Sequence, residues 1–176
     1  MKADNKDFTS ENTELEQLDS IGRVAWAWDR FGEGLVVSTS FGLQSAVMLH
    51  LVSKVSKAIR IIFVDTGYLF PETYQYAETL CETLGIRPKT FSSGLSQTYQ
   101  EIRFGKLWEQ GAEGMERYNL INKVEPMQRA LKELNAKGWL SGLRRGQSKS
   151  RAARTFVETQ NGTVKIYPIL DWDDRT

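Results

Sequence analysis

The sequence of 176 residues contains one cysteine and one histidine, and this scarcity excludes several kinds of site. A single thiol, Cys81, cannot form a disulfide within the chain, nor supply the several thiolates that an iron–sulfur cluster or a thiolate zinc site needs. His50 has no second histidine or cysteine near it in the sequence, so we assign it no metal. We therefore expect no metal centre and no cluster.

Excess charge and long apolar runs are also lacking. The formal net charge is +1, so bulk charge indicates neither a nucleic-acid nor a membrane partner. No apolar run reaches the roughly 20 residues that span a bilayer, and the acidic, polar N-terminus does not resemble a signal peptide. We expect a reducing, cytoplasmic environment. The length predicts one domain, residues 1–176, with a full core.

Residues 35–52 form the most informative stretch. A β-branched run ends at the hydroxyl-rich segment 38–45, and apolar residues then recur at helical spacing. A strand, a small-residue loop and a helix start in this order can bind an anion, because the first helical N–H groups are unpaired and the helix dipole is positive there. Gly42 lets the backbone approach a ligand closely, and serines add donors. An ordinary turn with a serine cap also explains the segment.

The next elements repeat the strand-then-helix order. An apolar strand over 60–64 ends at residues 65–67, Pro71 opens a helix that runs to about Leu84, Gly85 ends it, and a modest strand follows over 89–91. Such alternation predicts a parallel sheet with right-handed crossovers. Ligands bind at the carboxyl ends of strands in such sheets, so segments 38–45 and 65–67 are expected on one rim.

The remaining elements are predicted more coarsely. The Ser/Thr-x-x-Glu pattern at 13–16 predicts a short helix that starts at Thr13, after a polar and loose segment through Asn12. Further predictions are a helix over 21–31, helical structure over 95–136 with its clearest part at 124–134, a strand over 138–142, and a hairpin over 155–167 with a type I′ turn at Asn161-Gly162.

A basic segment follows the predicted strand at 138–142. Arg144, Arg145, Lys149 and Arg151 have no acidic residue among them. Guanidinium groups match phosphate and sulfate oxygens in pairs, and the position after a strand favours a small polyanion in the same crevice. A solvated surface loop is the simpler alternative. A nucleic-acid patch is less consistent with the segment, which lacks interleaved aromatic residues.

Several segments together resemble the phosphoadenylyl-sulfate (PAPS) reductases. These are residues 38–44, 64–74, 118–119, 122–126, 142–145 and 171–173, and the resemblance runs from about Glu14 to Thr176. It implies an α/β fold of the adenine nucleotide α-hydrolase-like type (PP-loop, Rossmann-like), with three layers and a mostly parallel sheet. It also implies reduction of PAPS to sulfite and adenosine 3′,5′-bisphosphate in sulfate assimilation and cysteine biosynthesis. Thioredoxin or glutaredoxin would be the reductant, and the protein would be a homodimer.

The residue types and the resemblance together predict a substrate site. By resemblance, Lys123 and the arginines of the basic segment (Arg144, Arg145 and Arg151) contact the phosphosulfate or the ribose phosphate. Asp65 only accepts hydrogen bonds, so we expect it to hold a ribose hydroxyl or to orient its loop. The predicted site comprises Ser38, Ser40, Phe41, Gly42, Ser45, Asp65, Thr66, Lys123, Gly142, Arg144, Arg145, Ser148 and Arg151. The tryptophans are expected in the core, although one ring could stack on adenine.

Two departures from related sequences narrow the prediction. ATP-cleaving relatives carry Ser-Gly-Gly-x-Asp-Ser where this chain has residues 40–45, and Gln44 replaces the acid. Without that carboxylate, cleavage of Mg–ATP is disfavoured. The related adenylyl-sulfate reductases carry a Cys-Cys pair where this chain has Tyr118-Asn119. The resemblance therefore favours the PAPS-specific branch without an iron–sulfur cluster.

The nucleophile of the family has no counterpart in these residues. In the family, a C-terminal cysteine within a Glu-Cys-Gly-Leu-His-like tail attacks the sulfur, and the sequence to Thr176 contains no such tail. Cys81 lies between Leu80 and Leu84 on a predicted helix, which indicates a packed and inert thiol. We therefore expect nucleotide binding without a completed redox cycle. Two alternatives remain open: a PP-loop adenylate-forming enzyme acting on RNA, and a catalytically silent nucleotide-binding protein.

Overall fold

The computed structural model describes residues 7–42, 45–148 and 151–173. The strands are β1 (Leu35–Thr39), β2 (Arg60–Asp65), β3 (Lys89–Ser92), β4 (Gly138–Leu140), β5 (Val157–Gln160) and β6 (Thr163–Ile166). The α-helices are α1 (Thr9–Gln17), α2 (Ser20–Phe31), α3 (Ser45–Val55), α4 (Pro71–Leu84), α5 (Gln97–Phe104), α6 (Gly111–Asn119) and α7 (Glu125–Glu133). A π-helix, Leu120–Val124, joins α6 to α7, and short 3₁₀ turns occupy 32–34, 107–109 and 145–147.

The strands form one sheet of six in the order β3-β2-β1-β4-β6-β5. Every neighbouring pair is parallel except the β5–β6 hairpin. The predicted order of strands and helices from β1 to β3 is confirmed. The hairpin prediction is also confirmed, because Asn161 and Gly162 both have positive φ, 51° and 78°, as a type I′ turn requires.

Helices cover the sheet on both faces, which makes three layers. Successive strand residues point to opposite faces. Val37 of β1 belongs to the larger core, which includes Leu15 of α1, Val24 of α2, Leu49 of α3 and Ala77 of α4. On the other face, a smaller core packs Met127 and Ala130 of α7 against three strand residues, Val36, Ile62 and Phe91.

The N-terminal helix starts earlier than predicted. It begins at Thr9, so the predicted start at Thr13 is wrong, and residues 9–12 are helical rather than loose. The Asp7 carboxylate accepts hydrogen bonds from the Thr9 N–H and hydroxyl at 2.9 and 2.6 Å, which satisfies a donor of the first turn. Phe8 is buried in the core and fixes the position of the first turn of α1. Thr13 does not cap the helix: its hydroxyl donates to the Thr9 carbonyl at 3.0 Å within α1.

The helical prediction for 95–136 is confirmed, with interruptions. Gly105 ends α5, and α6 starts at Gly111. Gly114 permits close packing here, because a Cβ on it would lie 2.2 Å from the Leu107 carbonyl oxygen. The strand predicted over 138–142 is shorter and ends at Leu140. Among the described residues, helices of the length and apolarity needed to cross a bilayer are not found.

Candidate functional site

A cavity of about 790 Å³ lies over the carboxyl ends of β1, β2 and β4 and extends along the sheet beside α7. Its rim comes from the residues that end these strands, and its wall includes Met127, Gln128 and Leu131 of α7. The cavity therefore occupies the position where parallel sheets bind ligands.

The segment after β1 supplies hydroxyl groups and backbone to the cavity. Ser38, Ser40, Gly42 and Ser45 line it, and Ser45 begins α3. The first N–H groups of that helix lie at the same edge, which favours an anion. Phe41 has a positive φ of 51° and turns inward, where its buried ring packs edge-on against Phe63 with centroids 4.9 Å apart. Phe41 thus shapes the turn rather than lining the cavity.

Of the two residues predicted in the turn after β2, Thr66 lies at the cavity and Asp65 does not. The Asp65 carboxylate accepts from the Gly67 N–H at 2.8 Å and from the Tyr74 hydroxyl at 2.7 Å. Burial, together with the hydrogen bond to Asp65, raises the pKa of Tyr74 to about 12. In this arrangement Asp65 orients the turn and ties it to α4.

The π-helix places Lys123 and Val124 on the cavity wall. Its position is fixed by a reciprocal pair of amides: Gln100 and Asn122 exchange hydrogen bonds of 2.9 and 3.0 Å, and both side chains are buried. Single-turn π segments are often found at functional sites. The sequence carries no local signal for this one, because the two amides lie 22 residues apart.

The floor of the cavity contains residues that the sequence analysis missed. The Trp139 indole N–H donates to the Ser38 hydroxyl at 2.8 Å. The Lys165 ammonium lies 3.8 Å from the centre of the indole ring. Both residues line the cavity, and so do Gln160 and Asn161 of the hairpin. Lys165, Gln160 and Asn161 reach the cavity because β6 pairs with β4, whereas Trp139 reaches it because β4 pairs with β1.

The basic segment reaches the cavity only in part. Gly142 and Arg151 line it. Buried Arg144 donates to the Asp173 carbonyl at 2.8 Å, whereas Arg145 donates to the Arg154 carbonyl at 3.1 Å and lies 5.2 Å from the Phe156 ring. These contacts hold the segment to the C-terminal part of the described chain. Lys149 and Gln44 lie outside the described residues.

The structure therefore brings together eight of the thirteen predicted residues around the cavity. They are Ser38, Ser40, Gly42, Ser45, Thr66, Lys123, Gly142 and Arg151. The other five do not line it: Phe41, Asp65, Arg144, Arg145 and Ser148. The lining combines hydroxyl donors, a helix start and cations, which suits a ligand with several negative charges. Among the described residues, His, Cys, Asp and Glu do not form a group of three that could hold a metal ion; the absence of a metal or cofactor stays a prediction.

Comparison with known proteins decides the family. The model of the phosphoadenosine phosphosulfate reductase domain matches residues 34–176. The chain belongs to the phosphoadenosine phosphosulfate reductase family. Relatives named phosphoadenosine 5′-phosphosulfate reductase, from Klebsiella pneumoniae and Escherichia coli, are 54% and 55% identical over 165 residues, which cover 94% of this chain and 68% of theirs.

Solved structures agree with this membership. The reductase-family crystal structure from Candida auris, described as a phosphate complex, superposes with a TM-score of 0.81 and 29% identity, covering 99% of this chain and 84% of that one. The FMN adenylyltransferase of Candida glabrata, at 13% identity, shares only the fold, with a TM-score of 0.53 and coverage of 98% and 56%. The predicted three-layer, PP-loop adenine nucleotide α-hydrolase-like fold with a mostly parallel sheet is confirmed.

Proposed function

We propose that the cavity binds 3′-phosphoadenylyl sulfate for its reduction to sulfite and adenosine 3′,5′-bisphosphate in sulfate assimilation. Thioredoxin or glutaredoxin would supply the electrons. The observation that carries the proposal is that three separate segments meet at one cavity: the hydroxyl-rich turn after β1 with the start of α3, the π-helix with Lys123, and the basic segment with Arg151. The names of the reductase-family relatives support this substrate.

The phosphosulfate fits best at the start of α3. The dipole of an 11-residue helix favours an anion there, and the Ser45 N–H itself donates to the Gly42 carbonyl at 2.8 Å. The hydroxyls of Ser40 and Ser45 add donors, and Gly42 leaves room for close approach of the ligand. The description of the Candida auris relative as a phosphate complex is consistent with an anion site in this fold.

The cations would neutralise the rest of the substrate charge. Lys123 and Arg151 belong to different elements, so they can contact different anionic groups of one nucleotide. Charge-assisted hydrogen bonds to phosphate are roughly twice as strong as neutral ones. Both residues are expected to contribute to affinity rather than to chemistry.

The redox step requires a thiolate that these residues do not offer. Conversion of the sulfonyl group to sulfite takes two electrons, which a dithiol reductant supplies as it forms a disulfide. Burial, and secondly the nearby Glu78 carboxylate, raise the pKa of the Cys81 thiol, which packs against the larger core. We therefore propose that residues 1–176 provide substrate binding, with no iron–sulfur cluster or other cofactor. We also propose a cytoplasmic homodimer, which rests on family analogy.

Calorimetric titration tests this proposal. Adenosine 3′,5′-bisphosphate is expected to bind at least about ten-fold more tightly than ATP with Mg²⁺, because the site offers cations but no cluster of acidic metal ligands among the described residues. Preferential binding and turnover of Mg–ATP would instead support the adenylate-forming alternative, and absence of binding by any adenine nucleotide would refute a nucleotide site.

Cys81 is expected to be unreactive and dispensable for binding. At pH 8 the folded protein should react with a small aromatic disulfide reagent about ten-fold more slowly than free cysteine does, because the thiolate is the reactive form and burial disfavours it. Unfolding in urea should restore the ordinary rate. Cys81→Ala should leave the dissociation constant for adenosine 3′,5′-bisphosphate unchanged. A fast reaction of the folded protein, or weaker binding by the variant, would contradict this assignment.

A further inference from the structure

Lys165 occupies an unusual place on the sheet. In the register of the strands, Trp139 of β4 pairs with Val36 of β1 on one side and with Lys165 of β6 on the other. Side chains of paired residues lie on the same face, so Lys165 lies on the face that α7 covers further along. A lysine at such a position would ordinarily extend into solvent, yet Lys165 is only 9% exposed.

The ammonium group is held by neutral partners. It lies 3.8 Å from the centre of the Trp139 ring and 5.4 Å from that of Tyr167, and it donates to the Gln160 side-chain oxygen at 2.8 Å. Its cross-strand neighbour, Glu158, is engaged by Arg154 and by the Tyr167 hydroxyl, the latter at 2.6 Å. The contacts with Trp139, Tyr167 and Gln160 thus fix the position of the Lys165 ammonium group. Among the described residues, no carboxylate forms an ion pair or a hydrogen bond with it.

Such an arrangement is costly unless an anion completes it. A buried charge without an ionic partner is disfavoured, and burial lowers the pKa of Lys165 to about 8 even though Glu158 opposes the shift. Perturbed groups that line a cavity are candidates for ligand contact. Lys165 and its anchor Gln160 both line the same cavity as Ser38 and Lys123.

The distance from the turn after β1 identifies which part of a ligand Lys165 would meet. Ser38 and Lys165 lie on strands separated by β4 and are offset by two residues in the register, so their backbones are about 12 Å apart at the usual strand spacing and rise per residue. Trp139 bridges the gap, since its indole N–H bonds Ser38 and its ring carries the ammonium. A nucleotide anchored at the start of α3 would have to extend across this indole to reach Lys165.

We propose that Lys165 binds a second phosphate group of the nucleotide, separate from the anionic group at the start of α3, and so selects nucleoside bisphosphates over monophosphates. The proposal rests on the proposed function, because it assumes that a nucleotide occupies the cavity. The Trp139 ring supports the ammonium, and Gln160 directs it. The alternative is that Lys165 merely holds the hairpin against β4.

A ligand-and-variant cycle separates these roles. Wild type, Lys165→Met and the control Lys54→Met are titrated with adenosine 3′,5′-bisphosphate and with adenosine 5′-monophosphate. Methionine keeps the apolar stem of Lys165, and Lys54 is an exposed residue of α3 away from the cavity lining. Loss of one charge-assisted contact is expected to weaken binding of the bisphosphate about ten-fold, with less than a two-fold change for the monophosphate. Lys54→Met should change neither.

Any other result of these titrations contradicts either the role of Lys165 or the proposed nucleotide function. Equal weakening with both ligands would assign Lys165 to a general or structural role, and no weakening with either would remove it from the site, so both overturn the inference. If Lys165→Met fails to fold, Lys165→Gln provides the same comparison. If the wild type binds neither ligand, the proposed nucleotide function itself fails, whereas wild-type binding without selectivity in the cycle contradicts only the role of Lys165.

Discussion

Arg23→Met is expected to lower the free energy of unfolding by about 3 kcal/mol, a large part of the stability of a domain of this size. Arg23 is 3% exposed. Its guanidinium donates to the Leu15 carbonyl at 2.8 Å, to the Pro168 carbonyl at 2.9 Å, and to both oxygens of Asp171 at 2.7 and 2.9 Å. One side chain thereby joins α1 and α2 to the segment after β6.

The loss follows from what the variant leaves behind. Methionine keeps most of the packing, but the Pro168 carbonyl loses this donor and the Leu15 carbonyl keeps a longer bond of 3.3 Å from the Leu18 N–H. Leaving buried acceptors unsatisfied costs about 1–3 kcal/mol each. The contact of the guanidinium with the Phe156 ring, at 4.0 Å, is lost as well. Asp171 adds less, because its side chain is 43% exposed.

Urea unfolding measures the effect, with Arg30→Met as the matched control. Arg30 lies on the same helix and pairs with Glu11 at 2.8 Å, but its side chain is 38% exposed, so its removal should cost under about 1 kcal/mol.

Acid titration adds a second check. Burial raises the pKa of Asp171, but hydrogen bonds from Arg23 outweigh this and lower it overall, so stability is lost as the pH falls through the folded-state pKa. That loss should be smaller in Arg23→Met. Equal destabilisation by the two variants would contradict the assignment.

Local sequence patterns predict the parts of this fold that local interactions decide. The hydroxyl cluster after residues 35–37, the proline at the start of α4 and the Asn161-Gly162 turn each carry a steric or hydrogen-bonding preference of their own. These elements appear where expected. Since β1 and β2 are parallel, their loops necessarily share an edge, and Ser40 and Thr66 both reach the cavity there.

Contacts between residues far apart in the sequence determine the other site residues and the start of α1. The position after a strand and the family resemblance together predict Arg144 and Arg145 beside the ligand, but their guanidinium groups instead donate to the carbonyls of Asp173 and Arg154. Lys165 becomes part of the site because β6 lies next to β4, and Trp139 becomes part of it because β4 lies next to β1. Neither pairing has a local signature in the sequence. The start of α1 likewise depends on burial of Phe8 in a core formed by residues far along the chain.

Gly42→Ala is expected to weaken binding of adenosine 3′,5′-bisphosphate about 30-fold without lowering the unfolding temperature. Among the described residues, the nearest atom to a Cβ at this position would be the Ser40 hydroxyl oxygen at 3.8 Å, and Gly42 does not have positive φ, so this described part of the fold accepts a methyl group. The methyl group would instead stand in the cavity, where in the proposed site the backbone approaches the 5′-phosphate of the nucleotide closely. A 30-fold loss corresponds to about 2 kcal/mol, the scale of one or two charge-assisted hydrogen bonds.

Gly94→Ala is the matched control for this loss. A Cβ on Gly94 would meet nothing within 4 Å, its φ is not positive, and it does not line the cavity. Both variants therefore place an alanine at a sterically open glycine, and they differ only in their distance from the proposed anion site. Calorimetric titration should show weakened binding for Gly42→Ala alone, with thermal unfolding unchanged in both. If Gly42→Ala binds the bisphosphate as tightly as Gly94→Ala does, the ligand is not held by backbone at the turn after β1, and its anionic group must be placed on the side chains of Lys123 and Arg151 instead.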